Sequence, residues 1–304
     1  MGATARPTLT MRSMPPAKIN NAVATPLQPV FPMMRTELTP IGPPIMHRTF
    51  FLDVEFDPLT VDEAAAAIAQ RARTLGPFAY VSTPNVDHIV RMEKQPGLAT
   101  LYSNAWMNLC DSRIIEAFAE ASYIDLPAAP GADVVTDLFR KYIAASDTVL
   151  MVGGTEEMSA ALRERFGLKD LRWFDAPIGL CEDVAARADC VRFIRENRAA
   201  YIFLAVGSPQ QEMIAFEARQ AGDCSGVAIC CGASLEFLTG VTARAPEWMR
   251  ANRMEWLFRL CVEPRRMWKR YLVDAPRIFG IWHRWRHGDY SASATPNSVA
   301  VSSR

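Results

Sequence analysis

A chain of 304 residues, half of them apolar and 22% charged, has the make-up of a globular protein with one large domain and shorter appendages. Its formal net charge of zero conceals an asymmetry: positions 244–286 hold eleven Lys/Arg against four Asp/Glu, leaving that segment at +7 and the remainder at −7,. No apolar run approaches the roughly 18 residues of a membrane span, and the seven cysteines form neither a CxxC pair nor a zinc-spaced Cys/His set, so a spanning chain and a sequence-evident zinc module are excluded.

Residues 1–46 are rich in Pro, Thr, Met and Ala without a sustained period and are expected to be a disordered leader,. That leader contains no secretory apolar segment, which assigns the chain to the cytosol. From residue 49 the pattern changes. The apolar run 50–56 reads as a strand or hairpin, and Thr60 followed by Glu63 is the signature of a capping box opening an Ala-rich helix that runs to about Thr74,.

Six β-like runs then alternate with helical stretches, at 79–83, 106–110, 148–152, 171–174, 201–206 and 227–231. This alternation predicts an α/β fold with a doubly wound, mostly parallel, Rossmann-like sheet over a core spanning 47–250. Ligands of such sheets bind beyond the carboxyl ends of the strands. There the sequence places Thr83, Asn85, Asp111, Gly153, Gly154, Gly207 and Gly232.

Residues 251–287 are expected to be a basic, amphipathic helical appendage. Leu257, Leu260, Cys261, Met267, Trp268, Tyr271 and Leu272 recur at helical spacing on one stripe, and Arg259, Arg266, Arg270 and Arg277 on another,. Pro264 breaks the ladder near Glu263. The basic stripe suits an anionic membrane surface, with Trp256, Trp268, Trp282 and Trp285 available as interfacial anchors,. No nucleic-acid-binding motif accompanies the charge. Residues 288–304 read as a disordered tail.

Chemistry-bearing candidates follow from position. Asp111 closes an apolar strand; a carboxylate presented there is ionised at neutral pH and can accept a proton, although an Asp before Ser112 also suits a helix N-cap. Thr83 and Asn85 flank Pro84 in a turn. Gly153-Gly154-Thr155-Glu156 joins strand to helix, where free N–H groups suit an anion. In Gly207-Ser208-Pro209-Gln210-Gln211-Glu212, Pro209 suits the first helical position and Gln211 a sugar or uracil edge, or else a solvated first turn,. His88 reads as a surface or packing residue. His283 and His287 lack the context of a zincin helix, so no metal or other cofactor is called for. Neither GxGxxG nor GxxxxGK[ST] occurs, which removes the usual grounds for a nicotinamide dehydrogenase or a P-loop enzyme,.

Taken in order, STPNVDHI (82–89), WMNLCDS (106–112), AVGSPQQE (205–212), CGASLEFLTGVTARAPEWM (231–249) and MEWLFRLCVEPRRMWKRY (254–271) resemble the motif set of the WecG/TagA/CpsF glycosyltransferases. The resemblance implies an inverting hexosyltransferase moving an N-acetylmannosamine-type or related sugar from a UDP-sugar to a polyprenyl-diphosphate-linked saccharide, at the inner membrane face, in surface-polysaccharide assembly. By it, Asp111 is the general base and Thr83 and Asn85 line its pocket. Gln211, Pro209 and the glycines Gly153, Gly154 and Gly207 hold the nucleotide sugar, and Arg259, Arg266 and Arg270 grip pyrophosphate. Self-association into a homo-oligomer is left open. Two departures stand out: Ser112 where the family has Gly, and Ala128 where it has Arg, with Arg113 as a candidate compensation. They keep a second reading open, a catalytically silent, membrane-docked paralogue that binds nucleotide sugar. A third, a nucleotide-sugar oxidoreductase, requires a dinucleotide whose glycine fingerprint is missing.

Overall fold

The computed structural model describes residues 48–246, 248–249 and 254–288; the expected leader 1–46 and the tail beyond Gly288 lie outside the described residues. The chain enters as a hairpin, β1 (Thr49–Phe51) and β2 (Val54–Phe56), turned by Leu52 and Asp53 at φ 51° and 62°. Two consecutive positive φ values make the tight primed turn that matches strand twist. Helix α1 (Val61–Arg73) then opens on the predicted capping box: the Glu63 amide donates to Thr60 Oγ1, and Glu63 Oε2 accepts from the Thr60 amide at 2.9 Å.

All six predicted runs are strands: β3 (Ala79–Ser82), β4 (Met107–Asn108), β5 (Thr148–Gly153), β6 (Asp170–Phe174), β7 (Tyr201–Ala205) and β8 (Val227–Cys230). They form one parallel sheet in the order β4-β3-β8-β7-β5-β6. The connecting helices are α2 (Val86–Lys94), α3 (Ala99–Ser103), α4 (Arg113–Glu120), α5 (Gly131–Asp137), α6 (Glu156–Phe166), α7 (Val184–Glu196) and α8 (Gln210–Ala221), with α9 (Ser234–Thr239) after the last strand.

Strand side chains alternate between two cores. Val81, Val149, Met151, Tyr201, Phe203, Val227 and Ile229 pack beneath α1, α5, α6 and α9, while Tyr80, Leu150, Val152, Ile202, Leu204, Ala228 and Cys230 pack beneath α7 and α8. Burial on both faces is why these strands read as unbroken apolar runs. Among the cysteines, Cys110, Cys190, Cys224, Cys230 and Cys231 are buried free thiols, Cys181 is half-buried, and Cys261 is exposed.

The basic segment is built of α10 (Glu255–Val262), α11 (Pro264–Trp268), a π-helical turn (Lys269–Asp274) and α12 (Arg277–His287). Pro264 sits at the first position of α11, where its missing N–H costs nothing, so the break falls at Glu263 as expected,. Helix α12 buries Ile278 and Ile281 in a third core with the hairpin, α2 and α4. Trp282 stacks on Phe118 at 4.8 Å and donates to Ser122 Oγ, and Trp285 meets Phe51 edge-on at 4.8 Å. These two tryptophans are therefore structural rather than interfacial, which corrects the sequence expectation. Trp256 and Trp268 are 37% and 51% exposed and remain on the surface. No helix among the described residues is long and apolar enough to cross a membrane.

Candidate active site

Across the sheet, the carboxyl ends of β5, β7, β8, β3 and β4 carry Gly153-Gly154, Gly207, Gly232, Thr83 and Asp111 in that order. Residues scattered from position 83 to position 232 thus form one rim. Four inter-strand steps separate its ends, about 19 Å at ~4.8 Å each. Strand β5 leads to α6 on one face and β7 to α8 on the other, so the chain diverges between them and opens the crevice expected of a doubly wound sheet,.

At the β4 end, the Asp111 amide donates to Pro84 O at 3.0 Å and the Leu109 amide to Ser82 O at 2.9 Å, which ties the Asp111 segment to the Thr83–Asn85 turn. Thr83 is buried, and a methyl added at Gly131 would stand 3.2 Å from its Oγ1, so the start of α5 abuts it. Ser112, not Asp111, caps α4, its Oγ accepting from the Ile114 and Ile115 amides at 3.3 Å. Two expectations change as a result. The capping job offered as the bland explanation of Asp111 is done by its neighbour, and the side chain added by Ser112 is turned into the helix.

Asn85 caps α2, with Oδ1 accepting from the Asp87 amide at 3.0 Å; the Asn85 amide in turn donates to His88 Nδ1 at 2.9 Å. His88 is buried in that capping box, the packing alternative read from sequence. Asn85 shapes the turn that presents Thr83.

A cation not singled out from the sequence completes this corner. Arg244 Nη1 donates to Asp133 Oδ1 at 2.6 Å, and its Nε lies 4.0 Å from Glu255. Burial alone would lower the guanidinium's value, but the hydrogen bond to Asp133 and the charges of Asp133, Glu255 and Asp111 outweigh it and raise the value,. Asp111 thus lies in the field of Arg244. Ala128 is buried and offers only its amide, to Glu116. Arg113, the compensation suggested by sequence, is instead paired with Glu116 at 3.0 Å on the surface of α4. Arg244 was legible only as one arginine in a basic stretch, because Asp133 is 111 positions away and Glu255 stands in α10.

At the other end, Gly153 and Gly154 adopt φ of 82° and 70° and Thr155 caps α6. Gly207 stands at φ 79° with open space around it, and Pro209 is the residue before α8 rather than its first helical position. Gln211 is 4% exposed and both ends of its amide are engaged: Nε2 donates to Glu212 Oε1 at 2.8 Å, and Oε1 accepts from the Gly232 amide at 2.9 Å. It is not the solvated first-turn residue that the sequence left open as an alternative. It straps the loop after β7 to the loop after β8.

Glu212 holds the other end of that strap. Its carboxyl is 1% exposed and Oε2 has no hydrogen-bond partner. Burial pushes its pKa up from the ordinary 4.5, opposed by Gln211, Ser208 and Arg91. A proton held more tightly in the fold than in the unfolded chain contributes stability that is present below pH 4.5 and is lost as pH rises through the folded value,. Glu212→Gln, isosteric and neutral, is expected to match or exceed the parent's stability at neutral pH, with a gap that widens as pH rises. Urea midpoints at several pH values check this, and a gap that narrows with rising pH would sink it.

The appendage reaches the rim through α9. Arg259 lies over the Phe237 ring at 4.9 Å and 4.0 Å from Glu255, which also faces Arg244. Asp133, Arg244, Glu255 and Arg259 form one chain of alternating charge from the Asp111 corner into α10. The side chains of Arg266 and Arg270 lie outside the described residues. No group of three or more His, Cys, Asp or Glu with metal-site geometry occurs among the described residues.

The comparisons agree with this architecture. Residues 49–291 match the model of the glycosyl transferase WecG/TagA/CpsF family. A stretch of 71 residues is 38% identical to the N-acetylglucosaminyldiphosphoundecaprenol N-acetyl-beta-D-mannosaminyltransferase of Bacillus subtilis (strain 168), covering 23% of this chain and 27% of that relative. A Rossmann-like sheet with its polar residues gathered on one edge, matched by the family over most of its length, makes this chain a member of the WecG/TagA/CpsF glycosyltransferase family.

Proposed function

We propose that the chain transfers an N-acetylmannosamine-type or related hexose from a UDP-sugar to a polyprenyl-diphosphate-linked saccharide, with inversion, at the inner face of the cell membrane. The observation that carries this reading is the placement of Asp111 beside Thr83, at a strand end where Ser112 already does the capping. Asp111 accepts the acceptor hydroxyl's proton as its oxygen attacks the anomeric carbon. The bond from that carbon to the diphosphate oxygen breaks, and its electron pair departs with UDP. Thr83 and Asn85 orient the acceptor, and the donor lies along the rim towards Gly153, Gly154 and Gly207, the last with open space around it for a diphosphate. Gln211 and Pro209 set the shape of that loop. Arg244 sets a positive charge beside Asp111, and Arg259, Arg266 and Arg270 contribute guanidinium forks for pyrophosphate.

The test is a mass-spectrometric assay with a panel of UDP-sugars and a short polyprenyl-diphosphate-sugar acceptor in detergent. A transferred product supports the reading. UDP-sugar binding without product from any pair would favour the silent paralogue, the reading kept open by Ala128 standing where the family has Arg.

Exposed Trp256, Trp268, Leu272 and Val273 beside the basic stripe support peripheral attachment to anionic lipid,. At about 1 kcal/mol per basic residue near such a surface, Arg259→Ala with Arg266→Ala is expected to weaken vesicle flotation by roughly 30-fold and to depress use of lipid acceptor, with the α/β core still folded. Unchanged flotation and acceptor use would retire the appendage's part.

A further inference from the structure

The amino-terminal edge of the sheet, opposite Asp111, carries a cleft of about 550 Å³ into which Arg48, Arg71 and Arg219 converge from three separate segments, beside Trp106 and Ser103. No Asp or Glu lines it. Arg48 is matched by Glu55 and Asp57 at 3.4 and 3.3 Å. The other two are matched by no described carboxylate: Arg71 lies over the Trp106 ring at 4.9 Å and donates Nη2 to Pro77 O at 3.1 Å, and Arg219 donates to the carbonyl of Asn104.

A bland account exists, because both arginines stand in the last turns of helices, α1 and α8, where cations suit the dipole and the last carbonyls,. It explains each residue separately. It does not explain two unmatched guanidinium groups facing one cleft, nor the buried Arg71 Nε–H, which has no acceptor. Burial, and then the charge of Arg219, hold the Arg71 guanidinium below its ordinary value, so the pair is in electrostatic contact and lacks a counter-charge. An anion offering several oxygens to two forks would supply it.

We propose that this cleft is a second ligand site, separate from the transferase rim, that binds a small free molecule through a phosphate- or diphosphate-type dianion held between Arg71 and Arg219. Trp106 and Ser103 form its wall and rim. The site is independent of which sugar is transferred, since it lies at the far end of the strands.

The test is calorimetric titration of the full chain with inorganic pyrophosphate at constant ionic strength, using the parent, Arg71→Gln/Arg219→Gln and, to separate any pyrophosphate held at the rim, Arg259→Ala/Arg266→Ala. Saturable binding that weakens at least 10-fold in the Arg71/Arg219 variant and persists in the Arg259/Arg266 variant is the expected result. Equal affinity in parent and Arg71/Arg219 variant, or no saturable heat from the parent, overturns the site. Should the Arg71/Arg219 variant fail to fold, Arg219→Gln alone, at an exposed position, is expected to weaken binding at least 3-fold, and no change overturns the proposal. Phosphatidylglycerol vesicles form the second arm: vesicle binding that depends on Arg71 and Arg219, without pyrophosphate binding, would assign the arginines to a lipid headgroup and overturn the free-ligand site.

Discussion

Asp111→Asn is expected to lower the transfer rate by about 10²–10⁴-fold, the span of positioned general-base catalysis, with thermal stability close to the parent's. The substitution keeps shape and removes the carboxylate's charge and its ability to take a proton. Neither the cap of α4, made by Ser112, nor the tie to Pro84, made by the Asp111 backbone amide, depends on the carboxylate. Single-turnover rates with donor and acceptor both saturating are the measurement. Activity within a factor of ten of the parent would remove Asp111 as the base, whereas lost donor binding with an unchanged single-turnover rate would make it a binding residue.

The largest stability effect at the rim is expected from Gly153→Ala. At φ 82° an alanine is strained, and its methyl would collide with Val206 Cγ1 and stand 3.0 Å from the Ala205 carbonyl on the neighbouring strand. Conformational strain and collision together are expected to cost roughly 3 kcal/mol, which for a domain of this size lowers Tm by about 6–12 °C. Gly207→Ala is the control: its φ is 79°, but nothing lies within 4 Å of the added methyl, so only the backbone cost of about 1–2 kcal/mol remains. Equal losses in the two variants would show that backbone angle alone decides. The expected difference assigns Gly153 first to the close approach of β5 and β7, and Gly207 to the open space above them.

Much of the fold was legible because its signals are local. The capping box at Thr60 and Glu63 needs four residues to be recognised, and it opens α1 where expected,. The six apolar runs needed only to be short, β-branched or aromatic, and separated by helical stretches, and each of them is a strand,. Pro264 announced the break between α10 and α11 because a proline cannot donate inside a helix,. Asp111, Thr83 and the glycines stood out because each follows such a run, and the end of a parallel strand faces the ligand edge whichever strands flank it.

What those signals do not carry is who stands beside whom. The order β4-β3-β8-β7-β5-β6 sets Thr83 next to Asp111 and both on one rim with Gly232 and Gly153, and strand order is fixed by which helices cover which face. The same long-range packing partly buries Trp282 and Trp285 against the third core, where a helical wheel shows them only as apolar residues suited to a membrane. It also commits the Gln211 amide to Glu212 and Gly232, and brings Arg244 from the end of the core to Asp133. Element type follows from propensity and period within a dozen residues. Electrostatic partnership depends on distances across the folded chain, and those exist only once the sheet has closed.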